Sequence, residues 1–163
     1  RKIAASGSDL GNTVKRYIDA GHLVPHEIIM MVVRDAVSKR SHTTPILFDG
    51  VPRDKNQQQD FDKVMAEMGR SFVCAHLTLD PEEGLYRILG RAKVEGRVDD
   101  QDEQAIRQRM RIFSEKTLPL IEDYAARGLM TEVRGDLPME EVYQQLKAAL
   151  HLDNEKSTVT SIR

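Results

Sequence analysis

Three short runs rich in β-formers, residues 45–48, 72–79 and 129–133, are separated by stretches whose apolar residues recur at helical spacing. Strands that alternate with helices specify an α/β fold, here expected as three-layer α/β/α with a mainly parallel sheet. The helices are placed by their apolar stripes and end signals. Ser8-Asp9 starts a first helix carrying Leu10, Val14, Tyr17 and Ile18, and Gly21 is positioned to end it. Pro25 opens a second in the first-turn position that proline favours, with Ile28, Ile29, Val32, Val33 and Val37 on a broad apolar face. Further helices are expected over residues 56–68, from Asp80-Pro81 to Gly90, from about Asp102 onward, and over residues 138–150. Pro119 should bend or restart the long one, because a proline removes a helix bond and clashes with the preceding turn. Residues 154–163 have no clear period and read as a tail or linker.

Length and charge exclude several classes. A chain of 163 residues fits one domain, large enough to bury roughly 68–70% of its unfolded surface. The net charge of −2 implies no general polyanion surface, hence no nucleic-acid partner. No apolar run approaches the roughly 18–20 residues of a membrane span. Cys74 is the single cysteine and lies in an apolar stretch, so it is expected to be buried and reduced, as in a cytoplasmic protein. Met30, Met31, Met65 and Met68 read as core filling at helical spacing, and the five histidines show no metal-ligand spacing.

The chemistry concentrates around the first strand. Pro45-Ile46-Leu47-Phe48 has buried-strand character and ends in Asp49-Gly50-Val51-Pro52-Arg53. Ligands of open parallel sheets bind at the carboxyl ends of strands. Asp49 could orient water on a divalent cation, or simply cap the following turn. Arg53 offers a planar fork for a phosphate, or is a surface arginine. A second basic group, Arg87, Arg91, Arg97, Arg107, Arg109 and Arg111, lies between the second and third strands. Converging arginines are the main electrostatic aid to phosphoryl transfer. The alternative is a set of solvated helix faces paired with Glu95, Asp99, Asp102 and Glu103. Ser6-Gly7-Ser8-Asp9-Leu10-Gly11 reads as a helix cap, with a small anion nest as the competing reading.

Together these segments resemble adenylate kinase and its nucleoside monophosphate kinase relatives, in order and to about Leu150. The resemblance rests on Leu47-Phe48-Asp49-Gly50-Val51-Pro52-Arg53, Ala20-Gly21-His22-Leu23-Val24-Pro25-His26-Glu27, Gly96-Arg97-Val98-Asp99-Asp100 and Lys116-Thr117-Leu118-Pro119-Leu120-Ile121. It implies that the γ-phosphoryl of Mg-ATP passes to AMP, giving two ADP. Arg53 and Arg1 would grip the AMP phosphate, Gln57 the adenine edge, and Val24 the base through its backbone. Arg87 and Gly135 would meet the donor base, and Arg91, Arg97 and Arg109 the transferred group. Asp49 would reach Mg²⁺ through water. It further implies monophosphate-binding helices over about residues 1–40 and a short lid over residues 92–96, too small for zinc.

The chain departs from the family pattern at Val51 (usually phenylalanine), His26 (usually aspartate) and Asp54 (usually small and polar), and is one residue longer between Arg97 and Arg109. It holds no Gly-x-x-x-x-Gly-Lys-Ser/Thr loop to cradle donor phosphates. The expectation is therefore a kinase domain lacking its first strand and loop, inactive by itself, within an active longer protein. The alternatives are a non-catalytic kinase-like module that binds a nucleotide or a partner protein, and a kinase for another base.

Overall fold

The computed structural model describes residues 3–20, 24–95, 102–152 and 160–162. The chain divides into two compact units, one running to Ser71 and including the C-terminal strand, the other beginning at Phe72.

In the first unit, Ser8 caps helix α1 (Asp9–Asp19) by accepting the Gly11 N–H at 3.0 Å. Ser6 hydrogen-bonds Ser8 and the Ile3 carbonyl, which settles this segment as a cap. Gly11 is required there, since a Cβ would come within 2.2 Å of the Ile3 carbonyl oxygen. Helix α2 (His26–Ser38) starts one residue later than expected, with Pro25 as its N-cap. Strand β1 (Ile46–Phe48) leads through the Asp49–Arg53 turn to helix α3 (Lys55–Glu67). The core of this unit takes Val14, Met30, Val33, Val37, Phe61, Val64 and Met65, with Phe48 edge-on to Phe61. Two expectations of burial are corrected here. Met31 is 56% exposed because it follows Met30 around the helix, away from the stripe that faces α3. Leu47 is 38% exposed, since alternate strand residues point to opposite faces and only Ile46 and Phe48 share theirs.

The second unit pairs strand β2 (Cys74–Thr78) with strand β3 (Met130–Arg134) in parallel, Leu77 opposite Val133. Between them run helices α4 (Pro81–Glu95), α5 (Glu103–Ile112) and α6 (Leu118–Ala126), and helix α7 (Met139–Ala149) follows β3. Helix α4 continues past Gly90, where the sequence predicts its end. A mid-helix glycine costs only about 1 kcal/mol, and the next turn buries Ala92. Residues 92–95, expected in a lid, are thus the last turn of α4, and residue 96 lies outside the described residues. A π-helical turn at Phe113–Thr117 precedes Pro119, the restart that the proline predicts. Leu85, Ala92, Ile106, Leu120, Tyr124 and Val133 form the core. Cys74 is half-buried rather than buried, at the start of β2.

Thr160–Ile162, in the stretch read as a tail or linker, forms strand β4 parallel to β1, with Ile46 opposite Thr160. Both described strand pairs are parallel, so the α/β fold with parallel pairing holds.

Candidate functional site

The turn after β1 is built around Arg53. Gly50 has φ +81°, a backbone state that a side chain makes costly. Its carbonyl accepts the Arg53 Nε–H at 2.7 Å, and a Cβ on Gly50 would lie 2.6 Å from Arg53 Nη2. A side chain at residue 50 would thus displace the guanidinium from this position. Asp49 is exposed at the carboxyl end of β1.

The start of α3 fixes the rest. Asp54 caps it by accepting the Gln57 N–H at 2.9 Å. Gln57 Oε1 reaches back to the Arg53 N–H, also at 2.9 Å. This is a capping box displaced by one residue, and it couples Arg53 to Gln57 through the backbone. Because the partner is a donor, the atom facing it must be the amide oxygen, which leaves the NH₂ of this 9%-exposed side chain for other contacts. Asp54, a departure from the resembled pattern, thus has a structural task. Val24 lies half-buried two residues before His26, whose Nε2 donates to Asp60 on α3 at 2.7 Å.

The second unit brings Arg87 and Gly135 together. Arg87 Nη1 donates to the Gly135 carbonyl at 2.7 Å, and its Nε donates to Glu83 at 2.6 Å. Gly135 approaches β2 closely, donating its N–H to the Thr78 carbonyl at 2.8 Å, and a Cβ would meet that oxygen at 3.0 Å. Beside them a shallow cleft of about 350 Å³ opens at the carboxyl ends of β2 and β3. It is lined by Thr78, Leu79, Asp80, Glu83, Arg134 and Asp136. Three carboxylates against one arginine suit an uncharged ring with donor groups better than a phosphate. Asp80 also caps α4, accepting the Glu82 and Glu83 N–H groups, which occupies donors that could otherwise hold an anion. The Arg134 hydrogen bond holds the Asp136 carboxyl below its ordinary range and raises the guanidinium in turn.

Arg91 and Arg109 are exposed on α4 and α5 of this unit. Arg107, grouped with the anion-binding arginines by sequence, has a different task. It bridges α5 to α4 by bonding Glu82 at 2.9 and 3.3 Å while holding Glu103 at 2.9 Å. Its hydrogen bond pulls the Glu82 carboxyl below its ordinary value, and Glu82 raises Arg107. Arg111 likewise pairs with Glu115. For these two the solvated-face reading holds. Arg1 and Arg97 lie outside the described residues.

Sequence reasoning missed two elements. Arg70 gathers the Thr44, Arg40 and Ser41 carbonyls at 3.1, 3.0 and 2.6 Å, closing the loop between α2 and β1. The His26–Asp60 and Arg34–Glu67 pairs tie α2 to α3 at both ends. All span tens of residues, so no local spacing could signal them. Among the described residues no cluster of three or more acids, histidines or cysteines could hold a metal ion. A single strand-end carboxylate fits a Mg²⁺ carried mainly by nucleotide phosphates and water. Among the same residues no helix is long and apolar enough to cross a membrane.

The adenylate kinase family model matches residues 1–129. The adenylate kinase of Thermus thermophilus is 38% identical over 151 residues, covering 92% of this chain and 78% of the relative. That of a Nocardioides species is 39% identical over 153 residues, covering 92% and 78%, and that of Thermobifida fusca 36% identical over 151, covering 92% and 79%.

Proposed function

Because the chain belongs to the adenylate kinase family, enzymes of the nucleoside monophosphate kinase type, we propose that its first unit holds AMP and its second the donor ATP. The reaction is transfer of the γ-phosphoryl to AMP, giving two ADP. The observation that carries the acceptor assignment is the Arg53–Gln57 coupling: one backbone hydrogen bond sets a phosphate fork and a base-reading amide at a fixed separation. Arg53 grips the AMP phosphate, aided by Arg1. Gln57 presents its NH₂ to a ring acceptor on adenine, and Val24 contributes its backbone beside the base. In the second unit Arg87, steadied by Glu83 and the Gly135 carbonyl, packs on the donor adenine over the acidic cleft.

Chemistry of this kind needs alignment and charge rather than a covalent intermediate. An AMP phosphate oxygen attacks the γ-phosphorus in line as the bond to the ADP leaving oxygen breaks. Arg91, Arg97 and Arg109 spread the charge that develops on the equatorial oxygens. Asp49 would hold, through water, the Mg²⁺ that enters with ATP, and that ion would supply charge shielding of the donor phosphates. The loop Gly-x-x-x-x-Gly-Lys-Ser/Thr is not in this sequence, so the transfer is proposed for a polypeptide that includes it, and AMP binding for the chain itself. A cytoplasmic location belongs to the same proposal, as does a short lid over residues 92–96, of which residues 92–95 continue α4.

A coupled ADP-formation assay on a polypeptide that includes the Gly-x-x-x-x-Gly-Lys-Ser/Thr loop, with Mg-ATP and each of AMP, CMP, UMP and GMP, tests it. AMP should be the preferred acceptor, and Gln57→Asn should relax that preference. Preference for another monophosphate, or an unaltered one in Gln57→Asn, would overturn the assignment.

A further inference from the structure

Helix α2 begins without local support. Pro25 is its N-cap and makes no side-chain cap bond. Yet the two residues before this helix include Val24, assigned above to the base. What holds this approach is long-range. His26, the first residue of α2, donates from Nε2 to Asp60 Oδ2 at 2.7 Å. Asp60 lies three residues after Gln57 on α3, close to one helical turn, so both belong to one face. The pair therefore joins the segment carrying Val24 to the helix face carrying Gln57.

A second pair ties the same two helices at their other end and serves as the comparison. Arg34 and Glu67 meet at 2.6 Å, eight residues after His26 and seven after Asp60. The apolar seam of Met30, Val33, Val37, Phe61, Val64 and Met65 already joins α2 to α3 over their length. His26–Asp60 adds constraint only at the end where the base is read. The ring is 25% and the carboxylate 51% exposed, so the pair contributes little to overall stability.

We infer that His26 and Asp60 are positioning residues of the acceptor-base subsite, setting the separation between the Val24 backbone and the Gln57 amide. The inference rests on the AMP assignment above. It gives the His26 departure from the family's usual aspartate a meaning: an aspartate at position 26 would face Asp60 with like charge, so the two positions have to be read as a matched pair.

Calorimetric titration of the chain with AMP and with ribose 5-phosphate, which lacks the base, separates positioning from general loosening. His26→Ala and Asp60→Ala should each weaken AMP about three- to tenfold while leaving ribose 5-phosphate within about twofold. Asp60→Asn keeps an acceptor for the His26 N–H and should retain AMP affinity. His26→Asp should weaken AMP, and the exchange His26→Asp with Asp60→His should restore it. Arg34→Ala, which cuts the remote pair, should change neither ligand. Equal losses for both ligands, an Arg34→Ala effect as large, or no rescue by the exchange would overturn the inference. Arg53→Ala is the control on its premise. If that variant binds AMP normally, the AMP assignment itself has failed. If it loses both ligands while His26→Ala and Asp60→Ala bind AMP normally, only the positioning role has failed.

Discussion

Replacing Gln57 by glutamate separates the two tasks of this side chain. Its oxygen accepts the Arg53 N–H at 2.9 Å, and its NH₂ is the group assigned to adenine. Gln57→Ala removes both. Loss of the cap interaction costs about 1 kcal/mol, which for a chain of this size lowers Tm by about 2–4 °C. Gln57→Glu retains an acceptor for Arg53. Position 57 lies in the first turn of α3, where a negative charge is favoured by about 0.3–1 kcal/mol. The carboxylate would accept the Arg53 N–H, but the side chain is buried. Gln57→Glu therefore keeps the cap bond, and any loss of stability it shows reports the cost of burying the charge. AMP binding should not survive as well: the donor has become an acceptor and opposes a ring nitrogen lone pair. An unsatisfied pair of this kind costs about 1–3 kcal/mol, roughly 5- to 150-fold in affinity. Thermal melts followed by circular dichroism and calorimetric AMP titration read the two effects apart. Wild-type AMP affinity in Gln57→Glu would refute the base contact, and a wild-type Tm in Gln57→Ala would refute the cap.

Other outcomes follow from the same geometry. Arg70→Ala leaves the Arg40, Ser41 and Thr44 carbonyls without their shared donor and should cost about 2 kcal/mol in urea unfolding, with Arg70→Lys only partly restoring it; an unchanged midpoint would show the clamp to be idle. Arg87→Met should weaken ATP binding while lowering stability by no more than about 1.5 kcal/mol, the worth of an exposed pair and one exposed hydrogen bond; undiminished ATP affinity would remove Arg87 from the donor site. Glu82, whose carboxyl is held below its ordinary 4.5 first by the Arg107 hydrogen bond, stabilises the α4–α5 tie above that pH, and the contribution is lost as pH falls through the lowered value. Glu82→Gln should thus differ from wild type in thermal melts at pH 6, with the difference shrinking as the pH is taken progressively below 4.5, and a difference that does not shrink on acidification would contradict this.

What the sequence made legible was local. The β-former runs ending at Phe48 and Leu79, the cap at Ser8 and the restart at Pro119 depend on neighbours within a turn, and each element forms there, the second strand trimmed to Cys74–Thr78. The same holds for the strand-end placement of Asp49 and Arg53. Gly90 misled because burial of Ala92 outweighs a propensity cost that is small per residue. The partner of Arg107 was hidden for another reason: an arginine's partner is chosen by three-dimensional proximity, and Glu82 is 25 residues away. The Arg70 clamp and the His26–Asp60 pair are invisible on the same grounds. Strand β4 is too short, and too irregular in pattern, to announce itself; it exists through pairing with β1.

The account turns on one assignment, that the turn after β1 is an AMP site read by Arg53 and Gln57. Calorimetric titration of the chain with AMP, CMP, UMP and GMP, in wild type and Arg53→Ala, tests it most directly. AMP should bind tightest, and Arg53→Ala should weaken it about 30-fold or more, as expected for removing a charged group from a phosphate. Equal affinity for the four monophosphates, or AMP binding indifferent to Arg53→Ala, would contradict the central claim.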